Sequence, residues 1–219
     1  MNKLVEHVST IEALISAMPT RTEADVRGRI IDPLLGLLGW VSEDIHREPY
    51  NQWKPHSGYL DYLATIHGRP HLVIEVNRTS RAFGLQAKLA KAGMATFAEL
   101  LKTGTPDLQE ALDQCSRYAQ YCGAPFAVAT NGLEFLAFKA LQPGRGLNDA
   151  KVVIFSSPND VLRRLDQFVD LMGYEQCRTG AAEFHLIGQT LDAPAFAQTL
   201  RAGPKTPLAG DLARLKFAA

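Results

Sequence analysis

The sequence predicts an α/β fold, in which a mixed central β-sheet is flanked by helices. Two segments with helical apolar spacing come first, followed by three strand-like segments, two helical patterns and three more strand-like segments. Strands, then helices, then strands again favour one mixed sheet with helices on its faces. The chain has 219 residues, of which 46% are hydrophobic and 21% charged, so it is large enough to bury a proper core.

Two amphipathic helices open the predicted fold. Their apolar positions are Leu4, Val8, Ile11, Leu14 and Ile15 in the first and Val26, Ile30, Leu34, Leu37 and Leu38 in the second. Between them, Thr20 and Thr22 offer capping hydroxyls, with Glu23 and Asp25 respectively three residues further on. A capping box is therefore available in either register. Gly39 is placed to end the second helix.

The remaining elements follow from apolar alternation, helical periodicity and turn residues. Strands are predicted at about 44–50, 58–66, 71–77, 125–130, 133–139 and 151–155, and helices at about 81–103, 106–122 and 159–172. After Gly173 the pattern loosens into Ala, Gly and Pro, with two short helical segments near 194–201 and 207–217. We therefore expect a core domain over residues 1–173 and an appendage, or a linker to a missing domain, over residues 174–219.

Two acidic residues lie in neighbouring predicted strands. Side chains alternate along a strand, so Glu75 and Asn77 share one face, while Asp61 lies in the preceding strand in an apolar context. Two carboxylates on adjacent strands suit Mg²⁺, which prefers oxygen ligands. The alternative is that Asp61 and Glu75 lie near strand ends, solvated or paired with an arginine such as Arg78.

A series of short motifs occurs in a distinctive order along the chain. They are TEADVR at 22–27, IDPLL at 31–35, LGW at 38–40, YLDY at 59–62, IEVN at 74–77, QCSRY at 114–118 and TNG at 130–132. Over about residues 20–155 this order resembles the N-terminal nuclease domain of type I restriction enzyme motor subunits, and the stand-alone bacterial proteins that share it. The resemblance implies a restriction-endonuclease-like, PD-(D/E)xK core.

The resemblance also implies roles for individual residues. Asp61, Glu75 and Glu23 would hold the metal, Mg²⁺ or Mn²⁺, and Gln114 with Tyr118 would contact nucleic acid. Both Gln114 and Tyr118 lie on one face of a helix, because residues four apart are neighbours. For Tyr118 the alternative is an ordinary half-buried helix tyrosine, and for Glu23 a capping-box acid.

The sequence departs from the family pattern at position 77. The family has lysine two residues after the glutamate, where it neutralises developing phosphate charge, and this chain has Asn77. Asparagine can position a water but brings no positive charge. Lys88 on the following helix could reach back, whereas Arg78 would point to the opposite face if the strand continued. We therefore count Asn77 among the catalytic positions.

Charge and composition limit the general class of protein. The 23 basic and 23 acidic residues cancel, so DNA binding would need a local patch, for which Arg78, Arg81, Lys88 and Lys91 are candidates. The two lysines could equally form a solvated helix face. The three cysteines form no CxxC pair and are expected to be reduced thiols. No apolar run approaches the ~20 residues of a membrane span, which predicts a cytoplasmic protein without membrane contact.

These observations favour a metal-dependent deoxyribonuclease that hydrolyses phosphodiester bonds in restriction or another anti-phage defence. Its expected partners are DNA and a motor or other defence subunit. A second hypothesis is a DNA-binding or sensing module of the same fold that has lost catalysis at Asn77. A third is a plain α/β interaction domain, in which the motif order is coincidental.

Overall fold

A seven-stranded mixed sheet forms the centre of the fold, and helices pack on both of its faces. This confirms the predicted α/β class with a mixed, helix-flanked sheet. The structure is a computed structural model, and it describes residues 1–18, 22–51, 58–80, 82–142, 144 and 146–187. Thr20, Arg81 and the helices predicted near 194–201 and 207–217 lie outside the described residues.

The α-helices are α1 (Asn2–Ala17), α2 (Glu23–Val26), α3 (Asp32–Leu37), α4 (Ala87–Ala92), α5 (Phe97–Thr103), α6 (Pro106–Cys122), α7 (Pro158–Arg163), α8 (Leu165–Met172), α9 (Tyr174–Thr179) and α10 (Ala181–Leu186). A π-helical segment, Arg27–Ile31, joins α2 to α3, and 3-10 turns span Ser42–Asp44 and Leu147–Asp149. The strands are β1 (Ile45–Arg47), β2 (Tyr50–Asn51), β3 (Gly58–Tyr59), β4 (Tyr62–Ile66), β5 (Arg69–Val76), β6 (Met94–Thr96), β7 (Phe126–Thr130), β8 (Phe135–Lys139) and β9 (Lys151–Phe155).

The main sheet has the strand order β1-β4-β5-β7-β8-β9-β6, and β2 pairs with β3 in a separate ribbon. Only the central pair β5 and β7 is parallel, with α4, β6, α5 and α6 connecting them. The other neighbours in the sheet are antiparallel. The turn between β4 and β5 lies between the strands predicted at 58–66 and 71–77, and His67 and Gly68 both have positive φ there, at 52° and 73°.

Each face of the sheet carries its own apolar core. Leu72, Ile74 and Val76 of β5 pack in the core that α1 and α8 cover, whereas Val73 packs in the core beneath α6. The predicted alternation along this strand is therefore confirmed. Glu75 shares the α6 side of the sheet with Val73, because side chains two residues apart in a strand point the same way.

The single helix predicted over residues 81–103 is wrong. Gly93 ends α4 in the left-handed conformation (φ +68°), and the chain then forms the edge strand β6 before Thr96 caps α5. The left-handed backbone conformation favours glycine, and a Cβ at Gly93 would lie 2.7 Å from an Arg164 nitrogen, which would have to shift. Helical periodicity on either side concealed this short strand.

Two other predicted elements are interrupted. The helix predicted over 159–172 breaks at Arg164, whose guanidinium binds Asp160 and the carbonyl oxygen of Ile154. The strand predicted over 58–66 breaks before β4, where the carbonyl of Asp61 accepts a 3.0 Å hydrogen bond from the Glu48 N–H. The break frees Asp61 from the regular pairing of the sheet while keeping it beside β5.

The first compact unit of the chain runs from Met1 to Ile187, and it includes α9 and α10. Trp40 connects these helices to the core, because its Nε1 donates to the Met172 carbonyl at 2.7 Å and its ring contacts Tyr174 edge-on at 5.2 Å. The division at Gly173 stays a prediction. Within the described residues, no helix has the length and apolar character needed to cross a membrane.

Candidate functional site

An acidic cleft of about 420 Å³ opens at one end of β5, on the α6 side of the sheet. Its lining residues are Glu23, Tyr59, Asp61, Glu75, Asn77, Arg78, Glu110 and Gln114. The cleft therefore brings together all four residues predicted to be catalytic, and two of the four predicted to bind nucleic acid, Arg78 and Gln114.

Antiparallel pairing of β4 with β5 places the two central carboxylates beside each other. Tyr62 pairs with Ile74, so the next positions along this pair, Asp61 and Glu75, lie opposite one another. Both side chains are almost completely buried, with residue exposures of 5% and 6%. Two carboxylates buried beside each other repel when both are ionised, so the arrangement is stabilised by protonation of a carboxylate or by a compensating positive charge.

Glu23 enters the cleft from the first turn of α2. The capping box at this helix uses Thr22 and Asp25, whose side chain accepts hydrogen bonds from the Thr22 N–H and hydroxyl. The alternative interpretation of Glu23 as the capping acid is therefore wrong in the observed register. Its carboxyl group instead interacts with Asp61 across the cleft.

Both oxygen atoms of Asp61 have donors. Oδ2 accepts a 2.7 Å hydrogen bond from the N–H of Val76, and Oδ1 lies 3.1 Å from a terminal nitrogen of Arg27. The same Arg27 nitrogen lies 2.6 Å from Oε1 of Glu48. The arginine that pairs with Asp61 is therefore Arg27, the first residue of the π-helical segment after α2. The alternative interpretation had proposed Arg78 for this role.

The electrostatics of the cleft favour a bound cation. Burial, followed by the charge of Glu23, raises the pKa of Asp61 to about 7, against the opposing effects of the Val76 N–H and Arg27. Burial, followed by the charge of Asp61, raises the pKa of Glu75 well above its usual range. Glu75 Oε2 is buried and has no hydrogen-bond partner among the residues that the structure describes. One arginine does not compensate the negative charge that these carboxylates would carry when ionised.

Among the residues that the structure describes, no three His, Cys, Asp or Glu side chains form a ready metal-binding group. Asp61 already has a contact at each oxygen, with Arg27 at Oδ1 and with the Val76 N–H at Oδ2. The residues nevertheless fit a hard divalent cation. Glu75 Oε2 is a buried oxygen without a hydrogen-bond donor among the described residues, and Asp61 lies beside Glu75. Displacing Arg27 would free the second oxygen.

Position 77 is buried beside the carboxylates. Asn77 is 7% exposed, and its N–H donates to the Thr130 carbonyl at 2.7 Å, which continues the β5–β7 pairing by one residue. Strand β5 ends at Val76, so the exposed Arg78 lines the cleft rather than the opposite face. Lys88 is not among the lining residues, and its side chain pairs with Glu99 at 3.7 Å.

The two residues predicted to share one face of α6, Gln114 and Tyr118, lie in different environments. Gln114 lines the cleft, whereas the ring of Tyr118 is 8% exposed and packs in the core beneath α6. The Tyr118 hydroxyl interacts with Gln114 and donates to the Tyr59 carbonyl at 3.3 Å. Tyr59 itself lines the cleft and is 65% exposed. A nucleic-acid role of Tyr118 stays a prediction, and its burial favours an indirect one through Tyr59.

Sequence reasoning assigned no role to three residues at the cleft, and side-chain periodicity could have found each of them. Arg27 follows Glu23 by four residues on a helix, and Glu110 precedes Gln114 by four. Tyr59 precedes Asp61 by two residues, the spacing of one strand face. Lys91 of the predicted cationic patch lines a separate groove together with Arg163 and Asp160.

No family model matches this sequence, and no curated protein matches it. Among solved structures, the chain is similar to a fragment assigned to the HsdR subunit of a type I restriction enzyme from Vibrio vulnificus YJ016. The similarity covers 67% of this chain and 26% of that chain, with 20% sequence identity and a TM-score of 0.39. This chain thus spans about a quarter of that structure. Residue roles here rest on the geometry of this chain alone.

Proposed function

We propose that this chain is a metal-dependent DNA endonuclease-like domain with a PD-(D/E)xK core, acting in restriction or another anti-phage defence. The observation that carries the proposal is the pair of neighbouring buried carboxylates, Asp61 just before β4 and Glu75 on β5. Within the described part of the chain, Glu75 Oε2 has no hydrogen-bond partner. A site of this charge and burial is stabilised by a cation with oxygen ligands.

Asp61 and Glu75 would hold Mg²⁺ or Mn²⁺, and Glu23 would assist from the opposite wall. When bound, such an ion activates a water molecule and stabilises the charge of a phosphoryl transition state. Arg78 and Gln114 line the open part of the cleft, where a guanidinium and an amide can bind phosphate oxygens. Asn77 would orient the attacking water by hydrogen bonding.

A second candidate function is a DNA-binding or sensing module of the same fold. Asn77 favours this candidate, because the only basic side chain in contact with either central carboxylate in the described chain is Arg27, and it is shared with Glu48. Without a free cation at the reacting phosphate, the site would bind DNA through Arg78 and Gln114 and would not hydrolyse it.

The deciding experiment is incubation of the full chain with single-stranded and double-stranded DNA in Mg²⁺ or Mn²⁺, with a chelator control and with Asp61→Ala. The nuclease proposal expects cleavage that requires the metal and disappears in Asp61→Ala. The sensing module expects DNA binding without cleavage in any divalent ion. Cleavage that survives Asp61→Ala contradicts this site, and absence of both cleavage and binding contradicts both candidates.

A further inference from the structure

Arg27 is held between two carboxylates at the wall of the acidic cleft. One of its terminal nitrogens lies 3.1 Å from Asp61 Oδ1 inside the cleft and 2.6 Å from Glu48 Oε1 outside it. The two acids differ in environment, since the Asp61 side chain is 7% exposed and the Glu48 side chain 57%. The guanidinium therefore stands at the boundary between the buried site and solvent.

Glu48 is fixed in this place by an unusual backbone conformation. Its φ is +50°, in the left-handed region that a residue with a Cβ rarely adopts, and its N–H donates to the Asp61 carbonyl at 3.0 Å. The backbone of Glu48 is thus bonded to the residue whose side chain shares Arg27 with it. This link keeps the backbone of Glu48 beside Asp61, within reach of Arg27.

We propose that Arg27 is an exchangeable counter-ion of the acidic cleft, and that Glu48 is the positioning residue that receives it when a divalent cation binds at Asp61 and Glu75. The inference rests on the proposed function, because it assumes that these carboxylates bind metal. It adds that the Arg27 guanidinium and the divalent cation compete for the carboxylate of Asp61.

The physical argument is one of charge balance. A divalent cation at Asp61 would lie close to the guanidinium, and two like charges at that range in a buried site repel strongly. Arg27 can leave Asp61 without becoming unpaired, because its contact with Glu48 is already formed at 2.6 Å. Its Nε–H is buried and has no acceptor in the described part of the chain, so the present position leaves one donor of the side chain unsatisfied there. Glu48 thereby lowers the free energy of releasing Arg27.

The test is a double-mutant cycle on Mn²⁺ affinity, measured by isothermal titration calorimetry on the full chain. Glu48→Gln should weaken Mn²⁺ binding by about fivefold or more, because Arg27 then loses the ion pair that would receive it and keeps the one with Asp61. Arg27→Gln should strengthen binding, because it removes the competing charge. In the Arg27→Gln background, the additional change Glu48→Gln should have no further effect.

The cycle separates this mechanism from simple attraction between Glu48 and the metal. An acid that attracts Mn²⁺ through space would lose the same affinity on Glu48→Gln whether or not Arg27 is present, and equal losses in the two backgrounds overturn the proposal. Weaker binding in Arg27→Gln also overturns it. If that variant does not fold by circular dichroism, Arg27→Met replaces it, because methionine keeps a long unbranched side chain and also removes the charge.

Asp61→Ala distinguishes this inference from the proposed function. Mn²⁺ binding that is abolished by Asp61→Ala, together with equal effects of Glu48→Gln in both backgrounds, contradicts the counter-ion exchange and leaves the metal site standing. Absence of Asp61-dependent binding in both wild type and Arg27→Gln contradicts the proposed function, and the exchange with it.

Discussion

Asp61 Oδ2 accepts a 2.7 Å hydrogen bond from the backbone N–H of Val76, the residue that follows Glu75. The side chain of one candidate ligand therefore fixes the strand that carries the other. This bond can persist when a metal binds, because a carboxylate oxygen has more than one lone pair. Arg27, at Asp61 Oδ1, is the contact that a cation would replace.

The stability of the metal-free protein should depend on the protonation of Asp61. Its folded-state pKa of about 7 lies above the ordinary value of 3.8, so the folded state binds the proton more tightly than the unfolded state does. The contribution to stability is therefore present below about pH 4 and is lost as the pH rises to 7. The advantage of Asp61→Asn over wild type should grow by about 2 °C or more in Tm between pH 5 and pH 8.

Thermal unfolding in chelator at the two pH values measures this difference. Glu6→Gln, which removes an exposed carboxylate on α1, is the control and should show no such trend. Adding Mg²⁺ at pH 8 should raise the Tm of wild type and not that of Asp61→Asn. An Asp61→Asn advantage that shrinks with rising pH would contradict the assigned environment of Asp61.

The boundary of the folded unit gives a second prediction. Cys177, Ala182 and Leu186 of α9 and α10 are buried in the core that α8 covers, and Tyr174 contacts Trp40. A chain that ends at Gly173 would expose this surface and should lose about 3 kcal/mol or more of unfolding free energy, since one buried large apolar side chain contributes ~1.5–3 kcal/mol. Urea unfolding measures the loss.

The matched control is a chain that ends at Ile187, where the first compact unit ends. It should unfold cooperatively with the stability of the full chain. Equal stability of the chains ending at Gly173 and Ile187 would support the boundary predicted from composition.

The sequence predicted the central strands and their faces because period-two alternation is a local property. The prediction failed where a residue departs from a regular pattern because of a contact with a residue far away in the sequence. Gly93 forms a left-handed turn against Arg164, and no periodicity within residues 81–103 reports that contact. The loose composition after Gly173 similarly concealed helices that are stabilised by packing on Trp40 and not by strong local signals.

The acidic residues of the site were predictable, whereas their electrostatic partners were only partly so. Asp61 and Glu75 follow from strand alternation together with the family resemblance. The pairing of Arg27 with Asp61 is a tertiary contact between residues 34 positions apart. It therefore depends on where the π-helical segment Arg27–Ile31 lies relative to the start of β4. Glu48 depends additionally on a positive φ that its own sequence context, Glu followed by Pro49, does not predict.

Tyr59 gives a third prediction, on DNA binding. Its ring is 65% exposed at the cleft that Arg78 also lines, so a base can stack on it while Arg78 binds a phosphate. Loss of one base–aromatic stack costs ~1–3 kcal/mol. Tyr59→Ala should therefore weaken binding of a single-stranded oligonucleotide, measured by fluorescence anisotropy in Ca²⁺, by about fivefold or more.

Two variants control this experiment. Phe184→Ala removes a comparably exposed aromatic ring on α10 and should leave affinity unchanged. Tyr118→Phe keeps the buried ring and removes the hydroxyl contacts with the Tyr59 carbonyl and with Gln114, so its effect should be smaller than that of Tyr59→Ala. A larger effect of Tyr118→Phe would indicate that the Tyr118 hydroxyl itself contacts the nucleic acid.

The missing lysine gives the fourth prediction, because position 77 is buried and lines the same cleft as Glu75. Lys88 does not replace it in this structure, since its exposed ammonium group pairs with Glu99. Asn77→Lys introduces a cation beside two carboxylates that can pair with it, which offsets the cost of burial. The nuclease proposal therefore expects cleavage to depend on position 77 and not on position 88.

Asn77→Lys should raise the initial rate of DNA cleavage in Mg²⁺ by up to about 10²-fold, because removing one preorganised stabiliser of transition-state charge typically costs 10²–10³ in rate. Asn77→Gln, which adds length without charge, should leave the rate near that of wild type. Adding Asp61→Ala to Asn77→Lys should abolish cleavage, because the metal is then not held, and Lys88→Ala should have no effect. Loss of activity in Lys88→Ala would show that a relocated lysine serves the site. Binding of DNA by all of these variants, with cleavage by none, would instead identify the chain as a sensing module.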